Sequence, residues 1–301
     1  MTLLYLVKED IYFFIFYLCH LSNVNRIEEK GEYAVIPKII HYCWFGEKEI
    51  PNEYKNYIKT WKKYCPDYQI KEWNEKNFNI DQSDYIKEAY EQKKWAFVSD
   101  FARLKIVYEE GGIYLDTDVE LVKSLDDLLK LKCFLASEKT GYVNTGLGFG
   151  AEKKNHIIYS LLEEYTNRHF IGKNGVYDSE ACPKKNTRPL RKYGYKFSPD
   201  RIVTIRDATI FPPVYFDSMN FATGEIHITE NTYSIHHYAS SWVSDEDYVQ
   251  NKKINEIIKN NNFILGHLKK QWFLYKNQKE KGKAKGFVNY LISKIRLKIN
   301  L

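Results

Sequence analysis

Hydrophobic and polar positions along this chain change period repeatedly, from alternation to helical spacing and back. Residues 34–44 (AVIPKIIHYCW) are β-rich and apolar, and Phe45-Gly46 closes them with a turn signal, which predicts a buried first strand. Tyr54, Tyr57, Ile58, Trp61 and Tyr64 then recur at helical spacing and predict an amphipathic helix after Pro51. Pro66-Asp67 breaks it, and residues 68–73 (YQIKEW) alternate like a second strand. The order strand, helix, strand predicts a parallel α/β sheet. Residues 84–110 read as a long helical stretch, or as two helices meeting near Ser99, with Gly111-Gly112 as a left-handed stop. Further strands are expected at residues 133–137 and 201–216, and a helix at 155–165, while the polar stretch 170–199 reads as a connection or a functional loop. Domain bounds follow from these changes: an N-terminal helix and linker over 1–31, a main α/β domain over 32–245, and a helical region over 246–301.

Residues 111–120 (GGIYLDTDVE) carry the densest candidate chemistry. Read as one strand, they place Ile113, Leu115, Thr117 and Val119 on one face and Tyr114, Asp116, Asp118 and Glu120 on the other. Asp116 and Asp118 would then lie about 6.5 Å apart at the backbone, within range of one hard cation such as magnesium or manganese. A solvated edge strand with an acidic face explains the same spacing. On residues 99–103, Asp100 and Arg103 share a helical face, either as an intrahelical ion pair or as site residues. The run 146–150 (GLGFG) resembles a phosphate loop lacking its lysine, although close backbone packing accounts for it equally well. His236 and His237 are adjacent, so on a strand only one of them can face the acids; a neutral imidazole is a common nitrogen ligand of manganese.

Composition narrows the setting. With 25 Tyr, 17 Phe and 6 Trp the chain is an ordered globular protein. Five cysteines without close pairing or metal spacing fit a reducing compartment. The net charge of +6 is unevenly placed: residues 252–301 hold 13 Lys+Arg against 2 Asp+Glu, whereas the other 251 residues hold 32 against 37. A nucleic-acid groove in the main body is thereby disfavoured, and an anionic surface is the better partner for the tail. Residues 282–301 place Val288, Leu291, Ile292, Ile295 and Ile299 on one helical face, as in a helix lying on an anionic membrane or packing on the domain. The apolar run 11–21 is shorter than the roughly 20 residues a span needs and lacks a basic leader, so a buried or surface-seated helix is expected there.

Taken together, IPKIIHYCWFG (36–46), SDFARLKIVYEEGGIYLDTDVE (99–120), VNTGLGFG (143–150) and TYSIHHYASSW (232–242) resemble the Asp-x-Asp sugar transferases of glycosyltransferase family 32. The resemblance implies a GT-A fold, a Rossmann-like α/β sheet that binds a nucleotide sugar, here with helical N- and C-terminal additions. By motif position it implies Trp44 on the nucleotide base, Asp100 and Arg103 on the donor sugar and phosphates, and Tyr114 against the donor. Asp116 would meet ribose and metal, Asp118 and His236 the metal, Asn144 the transferred sugar, and Trp242 the diphosphate or acceptor. Manganese or magnesium is the implied metal, with a UDP-sugar placed ahead of GDP-mannose as donor. The resemblance further implies retention of anomeric configuration, and an internal-return route is preferred because no carboxylate nucleophile stands out.

Two other readings compete. An apolar strand ending in Asp-x-Asp is also the nucleophile loop of haloacid-dehalogenase phosphatases, but there it opens the domain. A non-catalytic carbohydrate-binding protein would keep the fold with a degenerate site. The transferase reading carries further expectations: a glycan acceptor, lipid-linked in view of the basic tail; a cytoplasmic or peripheral place on the inner membrane face; and a part in capsule or surface-polysaccharide synthesis. No nucleic-acid partner is expected.

Overall fold

The computed structural model describes residues 36–238 apart from 174 and 222, together with 269 and 271–276. The chain divides into two units, Met1–Ala34 and Val35–Leu301, and the described residues all belong to the second. The expected terminal helices at 11–21 and 282–301, and Trp242, lie outside the described residues.

The elements run β1 (Ile39–Cys43), α1 (Asn52–Tyr64), β2 (Gln69–Trp73), α2 (Asp84–Glu91), α3 (Trp95–Glu110), β3 (Gly112–Tyr114), β4 (Val119–Leu121), β5 (Cys133–Ala136), β6 (Phe149–Ala151), α4 (His156–Leu162), α5 (Cys182–Lys192), β7 (Val203–Ile205), β8 (Ala208–Phe211), α6 (Pro213–Phe216) and β9 (Ser234–His236). Seven strands form one mixed sheet in the order β2-β1-β3-β6-β5-β8-β7. The pairs β1–β2, β1–β3 and β5–β8 are parallel, whereas β6 runs antiparallel between β3 and β5, and β7 antiparallel to β8. This is the α/β, Rossmann-like sheet expected from the sequence.

Alternation along the strands explains how both faces are covered. On β3 and its extension, Ile113 and Leu115 pack with Ile40, Trp61 and Phe216 on one side; Tyr114 packs with Val98, Leu104 and Phe149 on the other. β5 behaves likewise, sending Phe134 and Ala136 to the first layer and Cys133 and Leu135 to the second. Helices on both sides of a largely parallel sheet are what such two-sided burial requires.

The structure departs from the sequence reading in three places. Residues 111–120 are not one strand: β3 stops at Tyr114, the Asp-x-Asp lies in a turn closed by Val119 N–H donating to Asp116 O at 3.0 Å, and β4 joins a separate two-stranded sheet with β9. The long helix breaks at residues 92–94 rather than near Ser99: α2 is capped by Ser83, whose hydroxyl accepts from Ile86 N–H, and α3 starts after Lys94 with no side-chain cap. The polar stretch 170–199 contains α5, whose inward face carries Cys182, Lys185, Asn186 and Pro189. Thr187 and Leu190 are buried there too, so half of the buried positions are polar and no clear hydrophobic period marks them. Of the two readings of the run 146–150, close packing is the one seen: the run leads into β6, and a Cβ on Gly150 would fall 2.6 Å from the Phe134 ring.

A buried histidine ties β1 to the Gly-Gly stop. His41 is fully buried, its Nε2 lies 2.9 Å from Gly111 O, and Trp73 Nε1–H donates to its Nδ1 at 3.0 Å. Nδ1 therefore accepts and Nε2 carries the proton. Gly112 has φ +97°, and a Cβ there would stand 2.9 Å from His41 Nε2, so the turn and the contact both demand glycine. Burial lowers the His41 pKa from 6.5 to about 4. The unfolded chain then binds a proton between those values that the folded chain refuses, so stability is present above pH 6.5 and is lost as pH falls toward 4, by up to about 3 kcal/mol. Urea unfolding of the parent across that window should show this slope, and His41→Gln, which can donate and accept but not titrate, should flatten it.

Candidate active site

The carboxyl ends of the parallel strands gather the candidate residues at one edge. Trp44 follows β1, Asp116 and Asp118 follow β3, and Glu138 follows β5, while Asn144 and Gly146 lie in the loop that enters the antiparallel β6 from the same edge. Ligand sites of open α/β sheets form at such an edge, where adjacent connections diverge.

Arg103 is the centre of this group. It stands on the buried side of α3, 4% exposed, with Nε–H donating to Ser99 O at 3.0 Å. Its Nη2 meets Asp100 Oδ1 at 3.0 Å and its Nη1 meets Asp116 Oδ2 at 3.4 Å. The Tyr114 ring lies 5.1 Å from the guanidinium carbon, and Tyr114 donates its hydroxyl to Asp116 Oδ1 at 3.0 Å. Both oxygens of Asp116 are thus fixed before any ligand arrives. Burial pushes the Asp116 carboxyl above the usual range, with Arg103 opposing the shift and Asp118 adding to it. Asp100 is likewise raised by burial and held back by Arg103 and Lys185.

Asp116, Asp118 and His236 each offer a ligand atom, and these atoms lie within 4.8 Å of one another. The pairing of β4 with β9 produces this: Val119 stands opposite His236, so the residue before Val119 and the end of β9 are brought side by side. His236 Nε2 lies 3.3 Å from Asp118 Oδ1, whereas its Nδ1 is buried with no hydrogen-bond partner among the described residues. Two carboxylates, an imidazole and an unsatisfied buried ring nitrogen fit a divalent ion such as manganese or magnesium. The register also separates the two histidines. His237 turns away, its Nε2 2.9 Å from Glu120 Oε2 and its ring stacked 4.3 Å from Tyr57, while its N–H donates to Asp118 O. Glu120, which had no role in the sequence reading, is its partner.

The remaining sequence-derived residues occupy the flanks. Trp44 is half-buried, donates Nε1–H to Lys48 O at 2.6 Å and meets the Tyr54 ring edge-on. Asn144 is half-buried, with Oδ1 accepting from Gly146 N–H at 2.8 Å. Sequence reasoning missed Lys185, Glu138 and Asp217. Lys185 is wholly buried on α5, donates to Tyr85 OH at 2.7 Å, lies 3.6 Å from Asp178, and contributes positive charge at Asp100. Burial lowers its pKa, and those two aspartates oppose the shift. Asp217 is buried after α6 and accepts from Tyr238 OH at 2.5 Å and Lys139 N–H at 2.9 Å. None of the three stands in a motif that spacing alone would single out.

The sequence is similar to those of known sugar transferases. Residues 51–135 match the family described as glycosyltransferase sugar-binding region containing DXD motif. The chain is 32% identical over 139 residues to an uncharacterized glycosyltransferase of Acanthamoeba polyphaga mimivirus, covering 42% of this chain and 54% of the relative. It is 30% identical over 165 residues to inositol phosphoceramide mannosyltransferase 1 of Schizosaccharomyces pombe, covering 50% of each. Among solved structures, the PaToxG glycosyltransferase aligns with a TM-score of 0.42 and 21% identity, over 54% of this chain and 71% of that one. The chain spans about half the length of the curated relatives it matches. The resemblance to the Asp-x-Asp transferases of family 32 is borne out, and the carboxylate pair lies within the matched region.

One glycine makes the cluster possible. A Cβ on Gly146 would fall 2.6 Å from Asp116 Oδ2 and 3.1 Å from both Arg103 Nη1 and Asn144 Oδ1. Overpacking of this kind costs about 1–3 kcal/mol, and here the displaced group is a candidate metal ligand. Gly146→Ala should therefore weaken manganese binding by roughly tenfold or more, measured by calorimetric titration, while the fold is retained by circular dichroism.

Proposed function

We propose that this chain, which carries the sugar-binding region of the DXD glycosyltransferases, is a metal-dependent enzyme that moves a hexose or N-acetylhexosamine from a nucleotide sugar to a glycan acceptor. The observation that carries the reading is the convergence of Asp116, Asp118 and His236 beside the buried Arg103–Asp100 pair, at the strand edge where open α/β sheets bind ligands.

Asp116, Asp118 and His236 would hold manganese or magnesium; the bound ion would supply Lewis-acid stabilisation of charge developing on the diphosphate leaving group. Tyr114 and Arg103 keep Asp116 in one orientation, so that no reorganisation is needed when the donor binds. The guanidinium also places a fixed positive charge on the donor side, and Asp100 and Lys185 set its surroundings. Trp44 offers its ring to the base, and Asn144 its amide to the transferred sugar. Trp242 is assigned to the diphosphate or acceptor on motif position alone.

Retention through internal return is the preferred course. Glu138 is the carboxylate that adjoins Asn144, and both its oxygens are already engaged, Oε1 by the Thr140 hydroxyl and Oε2 by Asn144 Nδ2. A carboxylate so occupied is poorly placed as a covalent nucleophile. For the donor we favour a UDP-sugar, and for the acceptor a lipid-linked glycan on the cytoplasmic membrane face, in capsule or other surface-polysaccharide assembly. The basic tail supports that acceptor; among the described residues no helix is long and apolar enough to cross a membrane.

Screening UDP-glucose, UDP-galactose, their N-acetyl forms and GDP-mannose for manganese-dependent hydrolysis should identify at least one substrate. Asp118→Ala should reduce its turnover by about two orders of magnitude or more; equal activity in parent and variant would refute the proposed site. Deleting residues 282–301 should move the protein from membrane to soluble fractions, and unchanged fractionation would remove the tail from the argument.

A further inference from the structure

The loop between β5 and β6 holds a side-chain pair with no place in the metal cluster. It begins as a hairpin: Ser137 bridges Val143, Glu138 N–H donates to Tyr142 O at 2.9 Å, and Asn144 N–H donates to Ala136 O at 2.9 Å. Glu138 and Asn144 are consequently diagonal neighbours on one face of the hairpin. Asn144 Nδ2 donates to Glu138 Oε2 at 3.2 Å, and on its other side Asn144 Oδ1 accepts from Gly146 N–H at 2.8 Å, with Cys182 Sγ 3.8 Å away.

These contacts leave the amide a single orientation. An ionised carboxylate only accepts hydrogen bonds and a backbone N–H only donates. Turning the amide over would set Oδ1 against Glu138 and Nδ2 against the Gly146 N–H, losing both bonds and opposing like partial charges. Asn144 therefore keeps its carbonyl occupied and retains one N–H beyond the one given to Glu138. A neutral side chain at 138 would remove the carboxylate that makes this preference strong, since bonds to charged groups are about twice as strong as neutral ones.

We infer that Glu138 is a positioning residue that fixes the polarity of Asn144, so that Asn144 presents an N–H donor, not a carbonyl, to a hydroxyl oxygen of the donor sugar. This rests on the nucleotide-sugar reading above. Glu138 acts on the sugar through Asn144 and leaves the nucleoside diphosphate part of the site unaffected.

The experiment uses the full chain, UDP with manganese, and the nucleotide sugar the parent turns over in the screen. Glu138→Ala should lower kcat roughly ten- to hundredfold, the range of a lost bond to a charged group, while UDP affinity changes by less than about twofold. Glu138→Gln, which can still accept through Oε1 but without the charge, should fall between parent and Glu138→Ala. In the Asn144→Ala background the Glu138→Ala change should cost nothing further, because its only route is already removed. Parent-like activity in Glu138→Ala, multiplied losses in the double variant, or an equal fall in UDP affinity would each overturn the inference. If Glu138→Ala does not fold, the E138Q/N144D double variant replaces it, with the hydrogen bond kept and its polarity reversed. Retained UDP binding with transfer lost supports the inference, and parent-level transfer overturns it. A parent that responds to UDP and manganese but turns over no nucleotide sugar refutes the transferase reading itself, a result distinct from a silent Glu138 in an active parent.

Discussion

A guanidinium removed from water must find negative charge, and in this protein that requirement organises the site. Arg103 is almost fully buried on α3, and its two terminal nitrogens reach Asp100 on its own helix and Asp116 beyond β3. Breaking a buried pair by deleting one partner leaves an uncompensated charge, typically at a cost of about 3–5 kcal/mol. The helix, the strand that follows it and the carboxylate turn are thereby held as one unit. Lys185 approaches Asp100 from α5 and adds a second positive charge to the same assembly. Three clustered aspartates are tolerable here because cations were built in beside them.

The sheet supplies the geometry in which that charge becomes useful. Because β1, β3, β5 and β8 run parallel, the connections leaving them open at one edge, and Trp44, Asp116, Asp118 and Glu138 are delivered there by strands whose bodies are buried in the core, while α3 brings Asp100 and Arg103. The reversed strand β6 contributes from its opposite end, which brings Asn144 and Gly146 to the same place. A short antiparallel ladder between β4 and β9 then carries His236 to Asp118 across more than a hundred residues of chain. Backbone pairing thus sets the spacing of these groups.

Much of this was legible in the residues. Alternation and helical spacing gave β1, α1, β2, β5 and the helical stretch before the Gly-Gly stop, because burial on both faces of a sheet imposes those periods on the side chains. The motifs likewise drew attention to Asp100, Arg103, Tyr114, Asp116, Asp118 and Asn144, which the structure places together. What stayed hidden has physical causes too. Half of the buried positions of α5 are polar, so its helix left no clear hydrophobic period, and Glu138 and Asp217 are ordinary acids until the fold surrounds them.

Local sequence, then, determined the elements and the kinds of chemical group available, since propensity and periodicity act over a few residues. It could not decide whether the acidic run was a strand or a turn, nor which histidine would join it. Tertiary pairing decided both. β3 ends where Asp116 must turn toward Arg103, and the register of β9 against β4 sends His236 to the candidate metal-binding group and His237 to Glu120. A strand reverses its faces with every one-residue shift, so that choice belongs to a partner strand far away in sequence.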